Sequence, residues 1–237
     1  MRGLRLLIYF SFACATALQP SSSRRFILCR HGETNFNREG RIQGTLDTSF
    51  LTLSGVNQAV ALGSYLLPFS MSIKNVYVSP MTRALQTLSI VKGVISGSGV
   101  NLPSERVVED LREIELYTWQ GRLKSDLELQ FPEQWKAWKT DPEGFCLDGK
   151  SPLRDLWGRV ETSWDVILND GFESNDDYDD NDITLIICHG ALGKCMIQNA
   201  LGVRDFRNVE YALENCEAVE IKAGRWRRLH PVESEWK

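Results

Sequence analysis

Two apolar runs without alternation constrain this chain most: FILC at 26–29 and ITLIIC at 183–188. A strand that buries one face alternates apolar and polar residues. A strand with no polar position needs cover on both faces. Between and around these runs lie stretches with helical period. Residues 54–67 (SGVNQAVALGSYLL) read as a helix with Ser54 as N-cap and Pro68 just past its end. NVYV at 75–78 reads as a strand, and 80–95 as a helix with Pro80 at its first position. A short strand is expected at 106–108, and helical pieces interrupted by Pro132 at 123–139. Residues 152–168 are amphipathic, with Leu153, Leu156, Val160, Trp164 and Ile167 on one face. A helix at 191–201 stops at Gly202, and 218–222 with 226–230 form a closing hairpin around Gly224. The alternation predicts a three-layer α/β/α fold on a mainly parallel sheet, without internal repeats.

The first and the fourth of these strands end alike, in Arg30-His31-Gly32 and in His189-Gly190. In parallel sheets ligands gather at the carboxyl ends of strands. One histidine at such a place is as readily structural as functional. Two of the chain's three histidines at equivalent places predict a shared site. Arg83, in SPMTRALQT at 79–87, falls in the first turn of a predicted helix. A cation there opposes the helix dipole unless an anion sits beside it. DLREIELYTWQG at 110–121 offers Glu113 and Glu115 as acids for a leaving group.

Charge narrows the partner. The formal net charge is −4, and residues 1–25 carry Arg2, Arg5, Arg24 and Arg25 with no acid, so the remainder is −8. That excludes a nucleic-acid binder with a basic face, but a local arginine cluster can still take an anionic substrate. Residues 1–25 are compositionally foreign to the rest. Arg2 and Arg5 precede an apolar run, and Ala15-Thr16-Ala17 has the small-x-small form of a cleavage site. The apolar run is too short to span a bilayer. A targeting leader over 1–25 and one domain over 26–237 are expected, with no membrane attachment once the leader is gone. A signal followed by the Ser- and Arg-rich 20–25 resembles the two-part leaders of plastid proteins in algae with secondary plastids; a secretory signal or a mitochondrial address are the alternatives. After Cys14 in the leader, five cysteines remain, in an odd set without CxxC pairs. Free buried thiols are expected rather than disulfides or zinc, with redox sensitivity at Cys29 or Cys188 as a sharper reading. The stretch DGFESNDDYDDND at 170–182 reads as an exposed acidic loop, with a calcium loop as its alternative.

Taken in order, RHGETNFNREGRIQG (30–44), LTLSGVNQA (51–59), SPMTRALQT, DLREIELYTWQG and the later CHG resemble the histidine phosphatase, or phosphoglycerate mutase-like, superfamily. The resemblance covers nearly all of the chain after the leader. It implies that His31 is the nucleophile that becomes phosphohistidine. Arg30, Arg83 and His189 would clamp the phosphoryl oxygens, Asn37 would contact the same group, and Glu113 would be the general acid, with Glu115 as its alternative. Gly44 and the backbone at Gly190 and Ala191 would help line the pocket. No cofactor or metal is implied, and the partner is a small phosphorylated metabolite. The acid segment resembles phosphatases more than mutases. Mutase activity, a protein phosphatase and a non-catalytic phosphate-binding module are the alternatives.

A narrower resemblance lies in DLREIELYTWQG together with WKAWKTDPEGFCLDGKSPLRDLWGRVETSWDVIL at 135–168. These look like the plastid 2-carboxy-D-arabinitol-1-phosphatases of plants, which implies a phosphorylated sugar acid as substrate and a plastid location. The chain departs from that pattern at HGA, where the plant enzymes resemble HNA, and in a longer acidic loop. Residues 122–150 are expected to form a cap beside the pocket. Arg122, Lys124, Lys139 and Lys150 are candidates for a second anionic group of the substrate. Trp119, Trp135, Trp138 and Trp157 are expected in the core rather than against ligand.

Overall fold

The computed structural model describes residues 24–169 and 179–230. Among them, six strands form one sheet: β1 Arg25–Arg30, β2 Ile73–Val78, β3 Glu105–Val107, β4 Ile183–Cys188, β5 Ala218–Lys222 and β6 Arg225–His230. The spatial order is β3-β2-β4-β1-β5-β6. β1, β2, β3 and β4 pair in parallel, and β5 and β6 add an antiparallel edge.

The continuous apolar strands are buried on both faces. Phe26 and Leu28 of β1 enter one core with Ile186 and Cys188 of β4. Ile27 and Cys29 enter the other with Leu185 and Ile187. Helices α2 (Leu53–Leu66) and α3 (Thr82–Ser96) cover the second face, through Leu62, Leu66, Leu88 and Val91 among others. Helices α6 (Pro152–Asn169) and α7 (Gly190–Ala200) cover the first, where Trp164 Nε1 donates to the Met196 carbonyl. A short α1 (Asn35–Glu39) follows β1, and α4 (Lys124–Gln130) and α5 (Pro132–Thr140) lie in the expected cap segment.

Local details correct several expectations. α2 is capped by Thr52, whose hydroxyl accepts from the Gly55 N–H, so Ser54 lies inside the helix. Pro80 precedes α3 instead of opening it; Met81 stands at the N-cap and offers no side-chain cap. Pro132 starts α5, where its missing N–H leaves nothing unpaired. The strand expected at 106–108 runs one residue earlier, Glu105–Val107. Ala223 and Gly224 both take positive φ, +50° and +69°, in a two-residue turn whose twist suits a hairpin. The first strand, expected at 26–29, starts one residue earlier and runs one further. Arg25 opens β1 and pairs with buried Glu220 at 2.6 Å, and Arg24 donates to the Leu168 carbonyl. Most of the expected leader, and residues 170–178 of the acidic loop with its calcium reading, lie outside the described residues.

Candidate active site

β1 and β4 are adjacent, with Arg30 opposite Cys188, so His31 and His189 emerge side by side at their carboxyl ends. β2, on the other side of β4, is followed directly by Ser79. The ladder continues past the strands: His31 N–H donates to the Cys188 carbonyl at 3.0 Å, and Ser79 N–H to the Ile187 carbonyl at 3.1 Å.

His31 is nearly inaccessible, at 2% exposure. Its Nδ1 lies 2.7 Å from the Gly32 carbonyl. A carbonyl only accepts, so Nδ1 carries the proton and the lone pair is left on Nε2. The His189 ring stands edge-on to it, 5.2 Å between centroids. His189 Nε2 and Ser79 Oγ share a hydrogen bond of 2.7 Å. Burial, then the charges of Arg30 and Arg83, pushes the His31 imidazole well below its ordinary value. His189 moves the same way, by burial first and then by Arg83, His31 and Arg30. Both rings are therefore neutral near pH 7.

Arg30 and Arg83 are fixed so that part of each fork stays free. Arg30 donates through NH1 to the Leu213 carbonyl at 2.8 Å. Arg83, fully buried, donates NH1 to Leu46 O at 2.9 Å and NH2 to Gly44 O at 2.8 Å. The Nε of each guanidinium, and Nδ1 of His189, are buried without a hydrogen-bond partner among the described residues. Buried donors left open at one place are what an oxyanion would satisfy. The anion expected at the first turn of α3 is already present: Asp47 accepts from Thr82 N–H and hydroxyl, both at 2.7 Å. Arg83's place in that turn is thus balanced by Asp47, and its free Nε is available elsewhere.

Asn37 uses Oδ1 to accept from Thr34 N–H, at 3.1 Å, within the capping box of α1. Its amide N–H groups remain. Gly44 has φ +55°, and a Cβ there would fall 1.9 Å from Gln120 Oε1. Glu113 is gripped at its carboxylate by the start of α7: Ala191 N–H donates to Oε2 at 3.1 Å and Leu192 N–H to Oε1 at 3.0 Å. Glu115 is exposed and faces a different hollow, with Arg112 and Tyr117, so of the two acids only Glu113 shares a cavity with His31.

A cavity of about 250 Å³ brings together Arg30, His31, Asn37, Gly44, Arg83, Glu113 and Ala191. Two expected members lie behind its wall. His189 is fully buried against His31, and Gly190 packs on Arg30, where a Cβ would sit 3.4 Å from Nε. The cavity adds residues that the sequence reading assigned elsewhere or left out. Trp135 and Trp138 line it, against the expectation of core alone, while Trp119 and Trp157 are core. Of the four cap cations only Lys124 and Lys139 reach it. Arg122 lies over Phe131, and Lys150 over Tyr117 beside the other hollow. Arg41 and Gln43, of the GRIQG stretch at 40–44, also line the cavity. Five cations and one carboxylate line the cavity of a chain with net charge −4. Ser79 was also missed, although it follows a strand as the histidines do.

Cys29 and Cys188, the candidates for redox sensitivity, are fully buried. Burial raises the Cys29 thiol well above its ordinary value and pushes Cys188 up to about 12. A thiol so placed resists oxidation, which argues against that reading.

The family model of the histidine phosphatase superfamily, branch 1, matches residues 26–232. The chain belongs to that superfamily. A probable 2-carboxy-D-arabinitol-1-phosphatase of Arabidopsis thaliana is 34% identical over 200 residues, 84% of this chain and 38% of that protein. The 2-carboxy-D-arabinitol-1-phosphatase of Triticum aestivum is 31% identical over 183 residues, 77% of this chain and 34% of that protein. The chain thus spans little more than a third of the length of these superfamily relatives. A mycobacterial glucosyl-3-phosphoglycerate phosphatase in complex with VO3 aligns with a TM-score of 0.69 at 24% identity, over 86% of this chain and 96% of that one. At that identity the likeness speaks for the superfamily's α/β fold, which the sheet described above shares.

Proposed function

We propose that this chain is a phosphomonoesterase that works through a phosphohistidine at His31. The observation that carries the reading is the His31 Nδ1–H bond to the Gly32 carbonyl, which leaves a neutral Nε2 lone pair beside two guanidiniums with open donors. Phosphoryl transfer needs alignment and positive charge more than covalent help. His31 Nε2 forms the N–P bond as the P–O bond to the leaving group breaks. Glu113, as the acid, gives its proton to the departing oxygen. Water then attacks phosphorus and gives a proton to the Glu113 carboxylate. The N–P bond breaks, inorganic phosphate leaves, and His31 is neutral again.

The substrate class proposed is a small phosphorylated sugar or sugar acid, in line with the 2-carboxy-D-arabinitol-1-phosphatases of Arabidopsis and wheat. Lys124 and Lys139 support a second anionic group. Both line the cavity of the phosphate cradle, and neither has a carboxylate partner among the described residues. A plastid location belongs to the same reading. It rests on the leader sequence, and a fluorescent fusion of residues 1–25 tests it.

The test of function is phosphate release, without added metal, from 2-carboxyarabinitol 1-phosphate, pentulose and hexose bisphosphates, 3-phosphoglycerate and a phosphotyrosine peptide. Release from the sugar acids that disappears in His31→Ala, with an acid-labile phosphoryl group trapped on the wild-type chain, supports the reading. Full activity in His31→Ala overturns it. Isomerisation of 3-phosphoglycerate without release would make the chain a mutase.

A further inference from the structure

Beyond the residues that line the cavity, Arg159 of α6 makes an unusual set of contacts. Its NH1 donates to the carbonyls of Asp110, at 3.2 Å, and Arg112, at 2.8 Å; its NH2 donates to the carbonyl of Glu113 at 2.9 Å. None of these three carbonyls receives a backbone N–H among the described residues. The segment has left the regular ladder after β3, and a buried carbonyl without a donor is destabilising. No carboxylate lies within ion-pair distance of Arg159 among the described residues. Among the described residues its hydrogen bonds go to main chain alone.

We infer that Arg159 is a positioning residue for the general acid: one rigid planar fork sets the path of residues 110–113 and thereby the point from which the Glu113 carboxyl meets the leaving oxygen. The inference rests on the reading of Glu113 as the acid. Glu113 is held at two places by two helices. α7 holds its carboxylate through the N–H groups of Ala191 and Leu192, and α6 holds its carbonyl through Arg159. The carboxylate contacts must give way when the acid turns to a leaving group. The carbonyl contact need not, so it can serve as the fixed pivot. Lysine cannot replace it, because an ammonium lacks the fork that spans three carbonyls.

Arg159 stands half-buried at the border of its own helix's buried stripe. Leu156, Trp157, Val160, Ser163 and Trp164 around it are buried on the core face of α6. From that border its stem lies along the core face while the guanidinium reaches the carbonyls of the acid segment.

The experiment separates acid catalysis from general damage through the leaving group. An alkyl phosphate needs a proton on its departing oxygen; 2,4-dinitrophenyl phosphate does not. Glu113→Gln, Arg159→Met and Arg159→Lys are assayed on both substrates, with vanadate affinity and thermal unfolding as controls of the cradle and the fold. For Arg159→Met we expect kcat on the alkyl phosphate to fall about 10- to 100-fold, the scale of a misplaced reacting group. KM should stay within about twofold, as should vanadate affinity and, on the dinitrophenyl ester, the pre-steady-state burst, which reports the first step alone because Glu113 also serves the water step. Arg159→Lys should show the same pattern, and it carries the test if the methionine variant does not fold. Equal loss of the first step on both esters in the Arg159 variants, with the leaving-group pattern kept in Glu113→Gln, overturns the inference alone. Equal loss in Glu113→Gln as well overturns the reading of Glu113 and the inference with it.

Discussion

The His31 and His189 rings meet edge-on, 5.2 Å between centroids, because they extend neighbouring parallel strands whose register sets Arg30 opposite Cys188. Neither ring can take a proton cheaply. Each is buried, and each faces Arg30 and Arg83.

This pair gives the fold a pH dependence with a defined sign. The native imidazoles titrate below their ordinary value, so the unfolded chain binds more protons than the native one once pH falls below about 6.5. Stability is full above that value and declines as pH falls toward the native pKa values, by up to about 1.4 kcal/mol per pH unit for each ring. Urea unfolding from pH 8 to 5 in phosphate-free buffer measures it. His189→Gln should flatten the slope by about one proton. Added phosphate, which favours the protonated rings, should weaken the decline. An unchanged slope in His189→Gln would count against the assignment.

Asp47 is expected to matter at a distance from chemistry. It caps α3 through Thr82, next to Arg83, and the same loop offers the Gly44 and Leu46 carbonyls to Arg83. Asp47→Ala should lower stability by about 1 kcal/mol, the worth of a helix cap. It should also weaken inhibition by inorganic phosphate about three- to tenfold as Arg83 loses its support. Denaturant midpoints and phosphate inhibition constants report the two effects separately.

Gly55 is a packing requirement. A Cβ there would fall 2.1 Å from the Glu33 carbonyl oxygen, in the loop that follows His31. Backbone on both sides cannot yield as a side chain would. Gly55→Ala should destabilise by about 1–3 kcal/mol, as overpacking does, and should reduce activity by displacing residues 31–34. A variant as stable and active as wild type would show that the loop moves freely.

Substrate selection should follow Lys124 and Lys139. Replacing both with methionine keeps their stems, including the Lys139 contact over Trp135. On a sugar phosphate with a carboxylate or second phosphate, KM should rise at least about tenfold, or about 1.4 kcal/mol. On a simple monoester of similar size it should stay within about twofold. Equal change on both would remove the second-anion reading and leave the phosphate cradle untouched.

Thiol chemistry should find the surface and pass over the site. Cys146 is exposed, whereas Cys29, Cys188, Cys195 and Cys216 are buried. Iodoacetamide on the native chain, followed by peptide mass analysis, should label Cys146 well before these four. Activity should survive that labelling. Early modification of Cys188 with loss of activity would reopen redox control.

Much of this architecture can be read from local sequence. FILC and ITLIIC require cover on both faces and so a three-layer sheet, and each ends at a histidine by chain order alone. Caps were less legible. Thr52 and Ser54 are both good N-caps by chemistry, and only the packing of Gly55 against residue 33 decides which one starts the helix. Trp135 and Trp138 have a core composition, yet the placement of the cap turns them to the cavity. Asp47 and Arg159 were missed for one reason. Their partners, Thr82 and the carbonyls at 110–113, are 35 or more residues away in the chain. Sequence periodicity reports which face of an element is buried, because burial follows the repeat of helix or strand. It does not report which distant main chain or side chain will occupy that face. That is settled when the sheet sets its strand order and the loops meet at its carboxyl edge.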